Sequence, residues 1–221
     1  MDGGRAPKPM RIDFVSDVVC PWCVIGLKGL EKALENLKGT VDAKIELQPF
    51  ELNPDMPREG QNVAEHVAQK FGGRTEQLDA ARDAIKARAA DLGFTIAMKE
   101  DSRIYNSFDA HRLLHWAGLK GKQVELKLAL FEAYFTDSAD ISDPDVLAAK
   151  AESVGLDPAE AREVVATGSY RAEVLAAEDM WRRSGINSVP SVIVNRQYLI
   201  SGGQPAAVFE ESLRRIAAEA A

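Results

Sequence analysis

The sequence predicts an α/β fold in which one β-sheet is split by a long helical insertion. Three observations lead to this prediction: a strand–helix–strand pattern near the N-terminus, a middle region without strand patterns, and a hairpin with a final helix near the end of the 221 residues. Residues 10–61 and 186–221 are therefore expected to form one sheet, interrupted by the helices of residues 62–185. Residues 1–9, which are polar with Gly and Pro, are predicted to be a flexible tail.

The N-terminal pattern begins with a strand predicted over residues 11–16, a short run rich in apolar and β-branched residues. A helix follows, because leucines recur at intervals of three and four: Leu27, Leu30, Leu34 and Leu37. A second strand is predicted over residues 43–49, where Ile45 and Leu47 alternate with polar residues. Strand, helix and parallel strand make a βαβ unit with a right-handed crossover.

The middle region is predicted as a succession of helices, most of which begin at a capping residue. The predicted N-caps are Asn62, Thr75, Asn106 or Ser107, Asp143 and Asp157. Asp143 and Asp157 each precede a proline, which suits the first turn of a helix. No strand pattern interrupts this region, so the insertion is predicted to be all-helical.

The C-terminal part returns to β structure. Residues 189–194 and 198–201 are predicted strands, and the turn between them makes a hairpin. Pro205 opens a last helix whose apolar face is formed by Phe209, Leu213 and Ile216.

Cys20 and Cys23 are the only cysteines in the chain, and they enclose Pro21 and Trp22. A C-x-x-C that follows a strand and begins a helix indicates a thiol–disulfide redox centre. Cys20 is expected at the N-cap or just before it, where unpaired N–H groups and the helix dipole favour a thiolate. Cys23 lies one turn further into the helix. We therefore predict that Cys20 is the attacking sulfur and Cys23 the resolving sulfur.

Two other interpretations of the cysteine pair are less favoured. A static disulfide across so short a loop would stabilise the fold little. A zinc site would need both cysteines together with histidines from His66, His111 and His115, and His111 and His115 lack the spacing of a zinc finger. No metal site is predicted.

Composition excludes several classes of partner. Hydrophobic residues make up 46% of the chain, enough for a full core without disulfides. A net charge of −7 argues against a nucleic-acid partner and against anionic membranes. No stretch is long enough to span a bilayer, and the N-terminus lacks the apolar segment of a secretory signal. A cytoplasmic location is predicted, where a static disulfide is not expected.

Five motifs together indicate a family. They are the CPWC-containing run at residues 17–23, PFELNP at 49–54, DAHRLLHW at 109–116, Val189–Pro190, and SGGQP at 201–205. With these motifs the chain resembles the DsbA-like branch of the thioredoxin superfamily. Within that branch it resembles the FrnE-type group, related to kappa-class glutathione transferases and 2-hydroxychromene-2-carboxylate isomerases. The resemblance implies a thioredoxin fold interrupted by an all-α helical insertion domain, with residues 10–61 and 186–221 as a discontinuous thioredoxin-like domain.

The resemblance also implies a substrate-binding surface beside Cys20. A cis Pro190 would turn the Val189 backbone toward Cys20, where it pairs with an extended peptide or with glutathione. From the residues alone, Pro190 is equally well an ordinary proline at the start of a strand. Trp22 is predicted to tune the thiolate and to contact partners. His111 is predicted to line the groove between the helical insertion and the active site and to donate a hydrogen bond to substrate or to the thiolate, with a satisfied helix histidine as the alternative.

The predicted function is thiol–disulfide exchange with protein or low-molecular-weight thiols, with no tightly bound cofactor and with glutathione as a candidate redox partner. Two alternatives remain: a glutathione-dependent transferase or isomerase of small aromatic compounds, and a redox-sensing or holdase-like client-binding module. Transferases and isomerases of the resembled group carry a serine-type residue at the position of Cys20. The presence of both cysteines therefore favours exchange.

Overall fold

The computed structural model describes residues 6–72, 76–99 and 101–219. The main sheet has four strands: β1 (Lys8–Ser16), β2 (Val41–Pro49), β5 (Ser191–Val194) and β6 (Tyr198–Ser201). Their order across the sheet is β2–β1–β5–β6. Strand β1 runs parallel to β2 and antiparallel to β5, and β6 completes a hairpin with β5. The predicted α/β class and the parallel βαβ unit are confirmed.

Helix α1 (Pro21–Asn36) joins β1 to β2, and α9 (Ala206–Glu219) packs against α1. Most of the chain between β2 and β5 is helical. The helices there are α2 (Val63–Phe71), α3 (Glu76–Asp91), α4 (Phe108–Leu119), α5 (Gln123–Phe131), α6 (Pro144–Ser153), α7 (Pro158–Thr167) and α8 (Arg171–Arg183). A π-helical turn, Glu132–Thr136, extends α5. Across the described ranges, no helix combines the length and apolarity needed to cross a bilayer.

Two sequence predictions are corrected. The insertion is not purely helical, because β3 (Gln61–Asn62) pairs antiparallel with β4 (Arg103–Ile104). The predicted tail is too long, because Lys8 and Pro9 are already paired with residues of β2. The predicted cap at Thr75 lies outside the described residues.

The capping predictions hold at three helices. Side-chain oxygens of Asn62, Asp143 and Asp157 accept hydrogen bonds from backbone N–H groups in the first turns of α2, α6 and α7. At α4, Ser107 occupies the cap position but makes no side-chain cap bond. Asn106 Oδ1 accepts from Phe108 N at 2.9 Å instead. These bonds satisfy donors that a helix N-terminus leaves unpaired.

One hydrophobic cluster extends from the sheet and α1 into helices α4 to α7, so the insertion shares its core with the sheet.

Gln123 fixes the position of α5. Its side-chain amide accepts from Leu47 N at 2.9 Å and donates to Leu47 O at 3.1 Å, as a neighbouring strand would. This contact holds the start of α5 against the outer edge of β2. The following turn of α5 carries Lys127 into the core beneath α1.

Candidate active site

The two cysteines lie where the end of β1 passes into α1. Cys20 is the N-cap residue, with extended backbone angles (φ −97°, ψ 113°), and Pro21 occupies the first turn. Both thiols are free. Cys20 is 4% exposed and lines a cavity, whereas Cys23 is completely buried. Only the sulfur of Cys20 is therefore placed to meet a substrate.

Val189 approaches Cys20 from the opposite end of the chain. The Cys20 Sγ–H group donates to the Val189 carbonyl at 3.7 Å, a contact between residues 169 positions apart. The Val189–Pro190 peptide bond is cis. Gly26 of α1 lies against this segment, because a Cβ at that position would come within 2.9 Å of Pro190 Cγ. A side chain there would press on the segment that carries the carbonyl facing Cys20.

The environment of Cys23 favours the neutral thiol. Burial, a hydrogen bond with Cys20 and the charge of Cys20 hold the pKa of Cys23 well above that of an ordinary thiol. The positive charge of Lys127 and a backbone hydrogen bond at Asp17 act in the opposite direction. Burial therefore favours a protonated Cys23, and a negative charge on Cys20 would strengthen that preference.

Asp17 organises the loop before Cys20. Its completely buried carboxylate accepts hydrogen bonds from Leu52 N at 2.7 Å and Val19 N at 3.5 Å, and contacts His111 Nε2 at 3.3 Å. Burial alone would raise the pKa of Asp17, but the hydrogen bond and charge of His111 and the Leu52 N–H outweigh it. The pKa of Asp17 is lowered, so this carboxylate is ionised at neutral pH.

Lys127 supplies a buried cation from α5. It is 1% exposed, and its Nζ lies 5.2 Å from the ring centroid of Phe131. Burial lowers the pKa of Lys127 to about 8, opposed by the charges of Cys23, Asp17 and Cys20. The helical insertion thus places a titratable ammonium group close to both cysteines.

Sequence reasoning missed Lys127, because no motif surrounds it. One signal was present: Lys127 lies four residues before Phe131, a member of the apolar stripe of α5. A lysine at a core-facing position of an otherwise apolar helix must find a buried partner.

A second buried acidic group lies behind Asp17. Glu51 is 5% exposed, and its Oε1 has no hydrogen-bond partner. Its backbone N–H donates to Glu178 Oε1 at 3.0 Å, and Glu178 Oε2 accepts from Arg182 at 3.1 Å. Burial, with the negative charges of Glu178 and Asp17, raises the pKa of Glu51 to about 8. Glu51 is therefore mostly protonated at neutral pH.

Replacing Glu51 with glutamine is expected to flatten the pH dependence of stability. Between the ordinary pKa of 4.5 and the folded value of about 8, the unfolded chain loses a proton that the folded chain keeps. The free energy of unfolding of the wild type therefore falls as pH rises through this interval. Urea denaturation at several pH values measures this difference. At the alkaline end, the free energy of unfolding of Glu51→Gln should increase relative to that of the wild type by on the order of 1 kcal/mol. An identical pH slope in both proteins, or an equal gain in the exposed-site control Glu163→Gln, would contradict this.

A cavity of about 620 Å³ opens beside Cys20. Three of the predicted substrate-binding or catalytic residues line it: Cys20, Trp22 and Val189. The ring of Trp22 also contacts the insertion, because the guanidinium of Arg88 in α3 lies 5.3 Å from its centroid. The loops that follow β1 and β2, the segment before β5, the start of α1 and the insertion all meet at this cavity.

The other predicted site residues lie elsewhere. Pro190 is buried behind Val189. His111 is 3% exposed and does not line the 620 Å³ cavity, because its ring faces Asp17 beneath the loop. The His111 ring contacts Asp17 and lines a separate cavity of about 130 Å³ together with Lys127, so its contact with substrate stays a prediction. Within the described ranges, no group of three or more His, Cys, Asp or Glu residues is arranged to hold a metal ion.

Comparison with known proteins identifies the family. The DsbA-like thioredoxin domain profile matches residues 11–214. The chain belongs to the DsbA-like thioredoxin family. An uncharacterised Bacillus subtilis protein, YwbO, is 28% identical over 92% of this chain and 96% of its own length.

Solved structures of the family share the fold. A probable DsbA oxidoreductase from Streptomyces coelicolor is 34% identical, with a TM-score of 0.87 over 93% of this chain and 89% of that chain. The cytosolic disulfide reductase DsbM of Pseudomonas aeruginosa, solved with glutathione, has 16% identity and a TM-score of 0.61 over 93% of this chain and 98% of its own. At that identity, the similarity to DsbM concerns the fold alone.

Proposed function

We propose that this DsbA-like protein catalyses thiol–disulfide exchange, with Cys20 as the nucleophile and Cys23 as the resolving thiol. The observation that carries the proposal is the asymmetry of the pair. Cys20 lines a cavity beside the Val189 carbonyl, whereas Cys23 is buried behind it next to Lys127. Exchange needs one accessible sulfur and one protected sulfur within reach of it.

In the reducing direction, the Cys20 thiolate attacks one sulfur of a substrate disulfide and releases the other as a thiolate. The mixed disulfide removes the negative charge of Cys20, which had helped to keep Cys23 protonated. Lys127 then stabilises the Cys23 thiolate, which attacks Cys20 Sγ and releases the second substrate thiol. In the oxidising direction, a substrate thiolate attacks the Cys20–Cys23 disulfide at Cys20, and the same steps run in reverse.

The Val189 backbone is the proposed docking point for the substrate chain. Its carbonyl lies beside Cys20 and is free to pair with an N–H of an extended peptide or of glutathione once Cys20 has lost its proton. The glutathione bound in the DsbM structure supports glutathione as a redox partner. The cytosolic location of DsbM likewise supports a cytoplasmic site of action for this chain.

The Cys23→Ser variant tests the assignment of the two sulfurs. Incubated with glutathione disulfide, it is expected to accumulate a mixed disulfide at Cys20, because no second thiol is present to release the adduct. Intact mass and peptide mapping would locate the adduct, with the Cys20→Ser, Cys23→Ser double variant as control. An adduct in the double variant, or none at Cys20, would contradict the proposal.

A further inference from the structure

The cavity beside Cys20 has mostly apolar walls. Helices α2 and α3 of the insertion form one wall, and the start of α1 and the segment after β2 contribute to the other. Apolar residues that line it include Leu52, Val67, Leu78, Ile85, Ile104 and Val189. A volume of about 620 Å³ is in the range of sites that enclose small organic ligands.

The protein itself does not fill this space. Val67 of α2 and Leu78 and Ile85 of α3 are only half-buried, and the one fully buried residue in the described side chains of α3 is Ala89. A second cavity of about 200 Å³ shares Arg82 and Ile85 with the first. Together the two cavities form a space beside Cys20 in which the apolar body of a ligand would be removed from water.

The charged residues of this space are mainly cationic. Lys70 and Arg82 line the larger cavity, and Lys86 joins Arg82 around the smaller one. Asp79 is the acidic residue among the lining side chains of the described chain. No ion pair of Lys70 or Arg82 occurs within the described residues. Although the whole chain carries a net charge of −7, these local positive charges favour an anionic ligand in the cavity.

We propose that the preferred exchange substrate is a small-molecule disulfide, or its thiol, with an apolar body and an acidic group. The apolar body occupies the cavity, and Arg82, with Lys70, binds the acidic group. This inference rests on the proposed exchange function and assigns its substrate class. Glutathione disulfide is polar throughout and would leave the apolar walls uncovered.

The reaction balances with the dithiol as reductant. The Cys20 thiolate attacks one sulfur of R–S–S–R, so that a bond forms between Cys20 Sγ and that sulfur, the substrate S–S bond breaks and one R–S⁻ leaves. Cys23 then attacks Cys20 Sγ, forming the internal disulfide and releasing the second R–S⁻. Two electrons pass from the dithiol to the substrate, and the two protons of the cysteines end on two R–SH molecules.

The test uses single-turnover kinetics with the full, pre-reduced protein. Para-dithiodibenzoate combines an apolar ring with a carboxylate, para-dithiodibenzamide has the same shape without charge, and glutathione disulfide represents a polar substrate. Each rate is divided by the rate at which the same disulfide reacts with dithiothreitol. This normalisation corrects for differences in intrinsic reactivity among the disulfides. We expect dithiodibenzoate to react about tenfold faster than dithiodibenzamide on this scale.

Two variants separate the charge from the cavity. Arg82→Gln is expected to lower the dithiodibenzoate rate about tenfold and leave the dithiodibenzamide rate unchanged, with the exposed Arg162→Gln as matched control. Val67→Phe, which fills the cavity, should slow both aromatic disulfides but not the small hydroxyethyl disulfide.

Equal normalised rates for the two aromatic disulfides, or an Arg82→Gln rate equal to wild type, would overturn the inference. If glutathione disulfide still reacted with the dithiol, the exchange function would stand without this substrate class. If none of the disulfides oxidised the pair, the exchange function itself would fail.

Discussion

Cys20→Ser is expected to lose nearly all catalysed exchange, with a fall of roughly a thousandfold or more in the rate of insulin disulfide reduction by dithiothreitol. A serine hydroxyl does not ionise near neutral pH, and Cys23 cannot take its place because it is buried. The variant should fold normally, since the replacement changes one atom and the Cys20 side chain caps none of the backbone N–H groups of the first turn.

Cys23→Ser provides the matched control for this result. It keeps the nucleophile, so it should release about one equivalent of substrate thiol rapidly and then stop. Turnover by Cys20→Ser within tenfold of wild type would contradict the assignment of Cys20 as nucleophile. Far-UV circular dichroism of each variant would show whether a loss of activity comes from chemistry or from unfolding.

Asp17→Ala is expected to cause the largest loss of stability, about 3–5 kcal/mol, because it removes the acidic member of a buried charged group. Without Asp17, the Leu52 N–H and the His111 ring lose their acceptor, and the buried Lys127 loses a favourable charge. The free energy of unfolding from urea denaturation measures this loss directly.

The control for Asp17→Ala is Asp145→Ala. Asp145 pairs with Arg162 at 3.0 Å, but the two side chains are 81% and 52% exposed. The loss there should be about 0–1 kcal/mol, as is usual for exposed ion pairs. Equal losses in the two variants would contradict the structural role of Asp17.

Local signals were sufficient for most of the fold. Pro21 marks the start of α1, and Asp143 and Asp157 mark the starts of α6 and α7, because a cap or an N-terminal proline acts within one turn. The strands β3 and β4 escaped prediction because two-residue strands are too short to show alternation. The π-helical turn after α5 likewise has no pattern of its own.

The candidate site was only partly predictable, for a related reason. Both cysteines and their roles follow from a short motif and its place at a helix start. The position of Val189 beside Cys20 came from family resemblance, because the contact joins opposite ends of the chain. Of the buried group beneath the cysteines, the sequence indicates only His111. Asp17 and Lys127 escape prediction because the three residues come from the loop after β1, α4 and α5 and meet only in the folded core.

The central claim is that Cys20 and Cys23 act as one reversible two-electron pair. The most direct test equilibrates the protein in glutathione buffers of increasing oxidation, quenches with acid and follows the alkylated species by intact mass. We expect one transition from a doubly alkylated form to a form that takes up no alkylating agent, with the two sulfurs joined. Persistence of the dithiol through all buffers, or stable glutathione adducts without an internal disulfide, would contradict it.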